Sequence, residues 1–121
     1  DDPVLARRLE ALEIEALAVE HTEKRVNAGL KHGQNPGPMA SLLKILGTEV
    51  MQRFSELQLE VTGLRSLVYD PGALEIGAAP SDFSEDELLA MPYYMNTRAA
   101  SIYAGSNEVQ RSLLAKAVMA G

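Results

Sequence analysis

Apolar residues recur at steps of three and four along most of this chain. Leu5, Leu9, Leu12, Ala16 and Val19 form one stripe, which Val26 and Leu30 lengthen, the spacing of a single helix face. Asp2 stands where an N-cap would, and Pro3 suits a first helical position. Ile14 and Leu17 fall off the stripe, so this helix is expected to have neighbours on two sides. The cluster His32-Gly33-Gln34-Asn35-Pro36-Gly37-Pro38 stops it near Lys31. A second helix is predicted from about Met39 to Val61, with Leu42, Leu46, Val50, Phe54, Leu57 and Val61 in register. Gly47 interrupts that pattern at a cost of ~1 kcal/mol against Ala, which predicts a close helix contact there. Two such helices joined by a short Pro/Gly loop form an antiparallel hairpin.

From Ser66 to Pro80 the pattern fails, because Pro71, Gly72, Gly77 and Pro80 prevent any long element. Ser84-Glu85-Asp86-Glu87 has the spacing of a capping box and starts a short helix through Ala90. A third substantial helix is predicted from Tyr93 to Tyr103 and a last one from Asn107 to about Met119. Nothing alternates with period two over a useful length, and no internal repeat is visible. The predicted class is all-α, an up-down bundle of three to four helices in one domain spanning residues 1–121.

Composition narrows the picture modestly. Of 121 residues, 46% are apolar, enough for one core. With no tryptophan and two phenylalanines, Leu, Ala, Val and Met are left to fill it. The absence of cysteine removes disulfides, a thiol nucleophile and thiolate metal sites, and suits a reducing cytoplasmic setting. No apolar run approaches the ~20 residues of a membrane span, and Asp1-Asp2-Pro3 does not resemble a signal peptide. The net charge of −6 is concentrated: Asp70, Glu75, Asp82, Glu85, Asp86 and Glu87 fall between Ser66 and Thr97 with no Lys or Arg among them. The rest of the chain balances, so there is no basic stripe for nucleic acid. The acidic segment reads as a solvated loop.

Candidate chemistry is sparse. His21 and His32 lack a metal-ligand spacing and read as surface residues. Glu10, Glu13, Glu20 and Glu23 read as a solvated helix face with Arg7, Lys24 and Arg25 as partners. The turn Tyr103-Ala104-Gly105-Ser106-Asn107-Glu108 stands apart. Gly105 permits close backbone approach, and Ser106 precedes the free N–H groups of the last helix, a fair place for a phosphate, a ribose or a carbonyl oxygen. On the residues alone it reads more readily as punctuation between helices. Arg98 and Arg111 flank it and face either an anion or a helix carboxylate.

Tyr103 to Arg111, Tyr-Ala-Gly-Ser-Asn-Glu-Val-Gln-Arg, closely resembles the C-terminal signature of the acyl-CoA dehydrogenase family, a Tyr-Glu-Gly-Thr-x-x-Ile-Gln pattern. Gly37 to Glu49, Gly-Pro-Met-Ala-Ser-Leu-Leu-Lys-Ile-Leu-Gly-Thr-Glu, resembles the start of the penultimate long helix in bacterial members acting on unusual acyl-CoA esters. The likeness covers most of the chain and is weakest from Ser66 to Met91. It implies the C-terminal helical domain of an FAD-dependent enzyme of fatty acid metabolism that desaturates an acyl-CoA thioester, passes electrons to an electron-transferring flavoprotein, and assembles as a homo-oligomer or with a related subunit. In that resemblance Gly105 approaches the thioester carbonyl, Tyr103 walls the acyl pocket, with Tyr93 or Tyr94 as further candidates, and Ser106 and Glu108 contact FAD. Glu60-Val61-Thr62-Gly63 falls where the family has Gln-x-x-Gly-Gly, so Glu60 and Gly63 would meet the adenine end of a flavin from a neighbouring subunit.

Two departures qualify the likeness. Ala104 occupies the position of the family's glutamate base and cannot accept a proton, as in the isovaleryl and long-chain branches, where the base lies on an earlier helix. Family members also carry an N-terminal helical domain, a β domain and a first bundle helix before the point matching Asp1. The chain thus looks like the last part of a dehydrogenase, inactive alone, self-associating through uncovered apolar surface. The competing reading is a stand-alone helical interaction module or a non-catalytic subunit without flavin. A self-sufficient bundle is expected to tolerate Gly105→Val at modest folding cost, whereas an enzyme is expected to lose flavin or substrate binding.

Overall fold

The computed structural model describes residues 2–78 and 81–120. Pro80, one of the expected breakers, lies outside the described residues, as do Asp1 and Gly121. Helix α1 spans Pro3–Lys31 and α2 spans Pro38–Thr62; α3 spans Glu85–Thr97 and α4 spans Asn107–Ala120. Among the described residues there is no strand. The Asp2 carboxylate accepts from Val4 N at 2.8 Å and so caps α1 with Pro3 in its first turn.

The two long helices are antiparallel. Arg8 near the start of α1 pairs with Glu60 near the end of α2, donating to Oε1 at 2.9 Å, and Arg53 donates to Glu15 at 2.8 Å. Helix α3 reverses direction again. At its start Glu87 accepts from Arg65, just beyond α2, at 2.5 Å, and at its end the Thr97 hydroxyl donates to Ser55 Oγ at 3.1 Å. Helix α4 then runs back in the sense of α2, with Asn107 beside Lys44 and Thr48 and Arg111 paired with Glu49. The order is up-down-up-down, and α1, α3 and α4 all pack on α2 far more than on one another.

The core is small. Leu12 of α1, Ile45, Val50 and Leu57 of α2, Leu88 and Ala90 of α3, and Ala100 are its buried apolar residues. No methionine joins them: Met95 and Met119 are exposed. Small polar groups are buried as deeply as the apolar ones. Ser55 and Ser66 are fully buried, with Ser55 Oγ donating to the Gln52 carbonyl at 2.6 Å and Ser66 Oγ to the Gly63 carbonyl at 2.6 Å. Each hydroxyl is satisfied locally, so burying it carries little penalty.

Four expectations change. The short helix to Ala90 and the separate helix from Tyr93 are one element, Glu85–Thr97, that passes through Pro92. The capping box fixes its start, with Glu87 N donating to Ser84 Oγ at 3.3 Å and Ser84 N to Glu87 Oε2 at 2.8 Å. Burial of Leu88 and Ala90 holds the turn before the proline. The helix ends early because the chain tightens into a 3₁₀ turn over Arg98–Ser101. Second, among the described residues α1 packs chiefly on α2, and the second flank, with Ile14 68% exposed and Leu17 also exposed, is left uncovered. Third, Gly47 makes no close contact; a Cβ there would meet nothing within 4 Å. Fourth, the acidic segment is exposed as expected at Asp70, Glu75, Asp82, Glu85 and Asp86, but Glu87 is held by Arg65 and Ser84, and the Asp70 carboxylate accepts from Ala73 N at 3.2 Å to cap a 3₁₀ turn over Pro71–Leu74.

Between α1, α2 and α3 an apolar cleft of about 510 Å³ is lined by Leu5, Leu9, Phe54, Leu57, Val61 and Tyr93. Phe54 and Tyr93 also line a second hollow of about 370 Å³, floored by Ala16, Gly47 and Val50.

Candidate functional site

The turn between α3 and α4 is built from two consecutive residues in the left-handed region. Gly105 has φ of +85°, and Ala104, unusually for a residue with a side chain, has φ of +55°. Upstream, Ile102 N and Tyr103 N both donate to the Ala99 carbonyl, at 2.9 and 3.0 Å, beside the fully buried Ala100. Downstream, Gln110 N donates to the Ser106 carbonyl at 2.9 Å, and Val109 N reaches Ser106 Oγ at 3.4 Å, so Ser106 caps α4 as its residue type predicts. Between these ends Tyr103, Ala104 and Gly105 are all exposed, Tyr103 to 55%.

Immediately after the turn, Asn107 is buried to 3% exposure. Lys44 Nζ donates to its Oδ1 at 2.6 Å, and its Nδ2 donates to Thr48 Oγ1 at 3.0 Å. Thr48 in turn donates to the Lys44 carbonyl at 2.9 Å. This cluster joins the first residue of α4 to the body of α2. Sequence reading missed it because an Asn after a Ser-cap looks like ordinary first-turn polarity, and its partners lie about 60 positions away.

The electrostatics of the turn weigh against one of its candidate ligands. The Glu108 carboxylate lies below its ordinary pKa because it accepts from its own backbone N–H and from Ser106, with Arg111 and Lys44 adding attraction. An ionised carboxylate in the first turn already occupies the favourable end of the helix dipole. That disfavours a phosphate and favours a neutral hydroxyl, amide or carbonyl.

The flanking arginines are not available to an anion. Arg98 donates to Glu56 at 2.7 Å, to Ser55 Oγ at 2.9 Å and to the Gln52 carbonyl at 3.0 Å, with its guanidinium 4.4 Å over the Tyr94 ring. Arg111 pairs with Glu49. Tyr94 is therefore engaged by Arg98, and Tyr93 lines the cleft beside α1. His21 and His32 are exposed, and among the described residues no His, Asp or Glu cluster could hold a metal. Of the expected helix-face pairs, Glu20 meets Lys24 one turn on.

The six substrate and cofactor candidates fall into two groups. Tyr103, Gly105, Ser106 and Glu108 share the turn. Glu60 and Gly63 sit at the opposite end of α2, Glu60 sixteen residues beyond Lys44, or about 24 Å at the helical rise. The Arg8 guanidinium holds the Glu60 carboxylate below its ordinary pKa. Gly63 ends α2 with φ of +72° and open space where a Cβ would be. A single chain does not bring the two groups together.

No curated protein and no solved structure matches this chain. Among the described residues no helix is long and apolar enough to cross a membrane. The family model described as acyl-CoA dehydrogenase, C-terminal domain, matches residues 1–119. With four α-helices in up-down order among the described residues and the Tyr103–Glu108 turn ahead of the last of them, the chain belongs to the acyl-CoA dehydrogenase family, in its C-terminal domain.

Proposed function

We propose that this domain serves an FAD-dependent acyl-CoA dehydrogenase by presenting the Tyr103–Glu108 turn to the thioester and the flavin, and by taking part in oligomer contacts. One observation supports this most. The turn holds two left-handed residues and an exposed tyrosine, yet none of the three contributes to the buried core. A connection needed only for punctuation would have no use for a left-handed alanine.

The residues suit a flavin as two separate contact points. Ser106 and Glu108 offer a hydroxyl and a hydrogen-bond acceptor to a neutral polar edge, and Glu60 with the open backbone at Gly63 offers another at the far end of α2. Contacts so far apart suit flavins bridged between neighbouring copies. Bound flavin would supply a hydride acceptor at the acyl β-carbon. In this chain Gly105 would admit the thioester carbonyl to the backbone, and Tyr103 would wall the acyl chain. Ala104 has no proton acceptor, so removal of the α-proton falls to a group outside the turn. The domain alone is then inactive, with an electron-transferring flavoprotein as acceptor of the whole enzyme and a cytoplasmic site of action.

Gly105→Val is a poor probe, contrary to the expectation of a modest folding cost, because any side chain at φ +85° is strained with or without ligand. Tyr103→Ala is better, since the ring is exposed. In the holoenzyme we expect unchanged thermal stability and at least tenfold weaker binding of a non-reacting acyl-CoA thioether, measured by calorimetry. Unchanged affinity would make the turn mere punctuation and favour the interaction-module reading, to which the missing base at Ala104 also points.

A further inference from the structure

We infer that Asn107, with Lys44 and Thr48, is a positioning device for the Tyr103–Ser106 turn rather than only a packing contact between α4 and α2. The inference rests on the reading of that turn as a ligand contact. The turn is clamped at two points, Ala100 upstream and Asn107 downstream, both almost fully buried, while Tyr103, Ala104 and Gly105 between them are exposed. Whatever fixes Asn107 therefore fixes the direction in which the backbone of Gly105 and Ser106 is presented.

The chemistry of the anchor is selective. Lys44 carries only donors and so must face Asn107 Oδ1, at 2.6 Å. That assigns Nδ2 to Thr48 Oγ1, at 3.0 Å, and Thr48 passes its own proton to a carbonyl of α2. The amide has one orientation that satisfies all three groups, and sliding α4 by a residue breaks every bond. Apolar packing would not be so discriminating, since methylene contacts tolerate small shifts. Stability alone is also served poorly here. Lys44 has no carboxylate within salt-bridge distance among the described residues, and its side-chain hydrogen bond goes to the neutral amide of Asn107. A polar anchor that specifies register at little gain in stability is what a precisely aimed turn requires.

The test separates aim from stability. Lys44→Met combined with Asn107→Leu replaces the polar cluster with apolar groups of similar size, which keeps α4 docked, and Asn107→Asp keeps an acceptor for Lys44 and for the Thr48 hydroxyl. In the holoenzyme we expect the double variant to melt within a few degrees of the parent. Amide hydrogen exchange over residues 103–107 should accelerate at least tenfold with the rest of α4 unchanged, and KM for acyl-CoA should rise more than tenfold. Asn107→Asp alone should leave both near the parent values. Unchanged exchange over 103–107 in the double variant would overturn the inference. Accelerated exchange with unchanged KM and flavin retention would uphold the anchor and overturn the ligand reading of the turn.

Discussion

Ala104 and Gly105 are neighbours with the same backbone requirement and opposite means of meeting it. Both occupy left-handed φ values, which cost a residue bearing a Cβ roughly 1–2 kcal/mol. Gly105→Ala should therefore destabilise the domain by about that much. The added methyl would meet only the end of the Gln110 side chain, at 2.6 Å, and that amide can swing aside, so the cost belongs to the backbone. Ala104→Gly should do the reverse, raising stability by up to about 1 kcal/mol once the extra freedom of the unfolded chain is subtracted. Urea denaturation of the two variants checks both signs. Equal destabilisation by both would show that side-chain contacts, not φ, govern the turn. The sequence announces Gly105 as a special position through its residue type. It hides Ala104, because nothing in an alanine advertises positive φ.

At the scale of helices, Gly47 offers a direct test of what covers α2. With nothing within 4 Å of a Cβ, Gly47→Ala should stabilise this chain by about 1 kcal/mol through helix propensity, a rise of several degrees in Tm for a domain of this size. Loss of stability would reveal an element pressed against that position. Helix α3 carries a pH dependence. Arg65 first, and the Ser84 backbone N–H second, hold Glu87 below its ordinary pKa. The stabilisation is therefore present above the unfolded carboxylate range, about 4.3, and is lost as pH falls through the lower folded value. Tm should fall below about pH 4.5, and Glu87→Gln should flatten that fall while lowering Tm at neutral pH. The helix limits at Pro3, Lys31 and Asn107 were legible because caps and breakers are local signals. The unity of α3 was not, because the helix that continues through Pro92 is packed down by Leu88 and Ala90, a tertiary effect. Equally, the pairing of Arg8 with Glu60 and of Arg53 with Glu15 needs the hairpin to exist before it can be seen.

Across the whole molecule, apolar surface exceeds what four helices cover. Ile14, Leu17 and Leu30 on α1, Leu113, Val118 and Met119 on α4, and the cleft beside Phe54 and Tyr93 stand open. At ~25 cal/mol per Å² burying even part of this favours association, and the isolated chain should sediment as a dimer or larger at micromolar concentration. A monomer throughout that range would argue that the exposed residues are too scattered to form an interface. The site was half legible for a related reason: the turn is contiguous in sequence, whereas its support from Lys44 and Thr48 and its distance from Glu60 exist only in three dimensions. The hub position of α2 carries a kinetic consequence. The α1–α2 hairpin closes over a six-residue loop, but the bonds of Asn107 and Arg111 to α2 close loops of about 60 residues, whose chain entropy must be lost before any contact forms. Docking of α4 is then a late event in folding. Lesions at Asn107 should speed unfolding and leave the refolding rate nearly unchanged, while lesions at Leu12 or Leu57 should slow refolding.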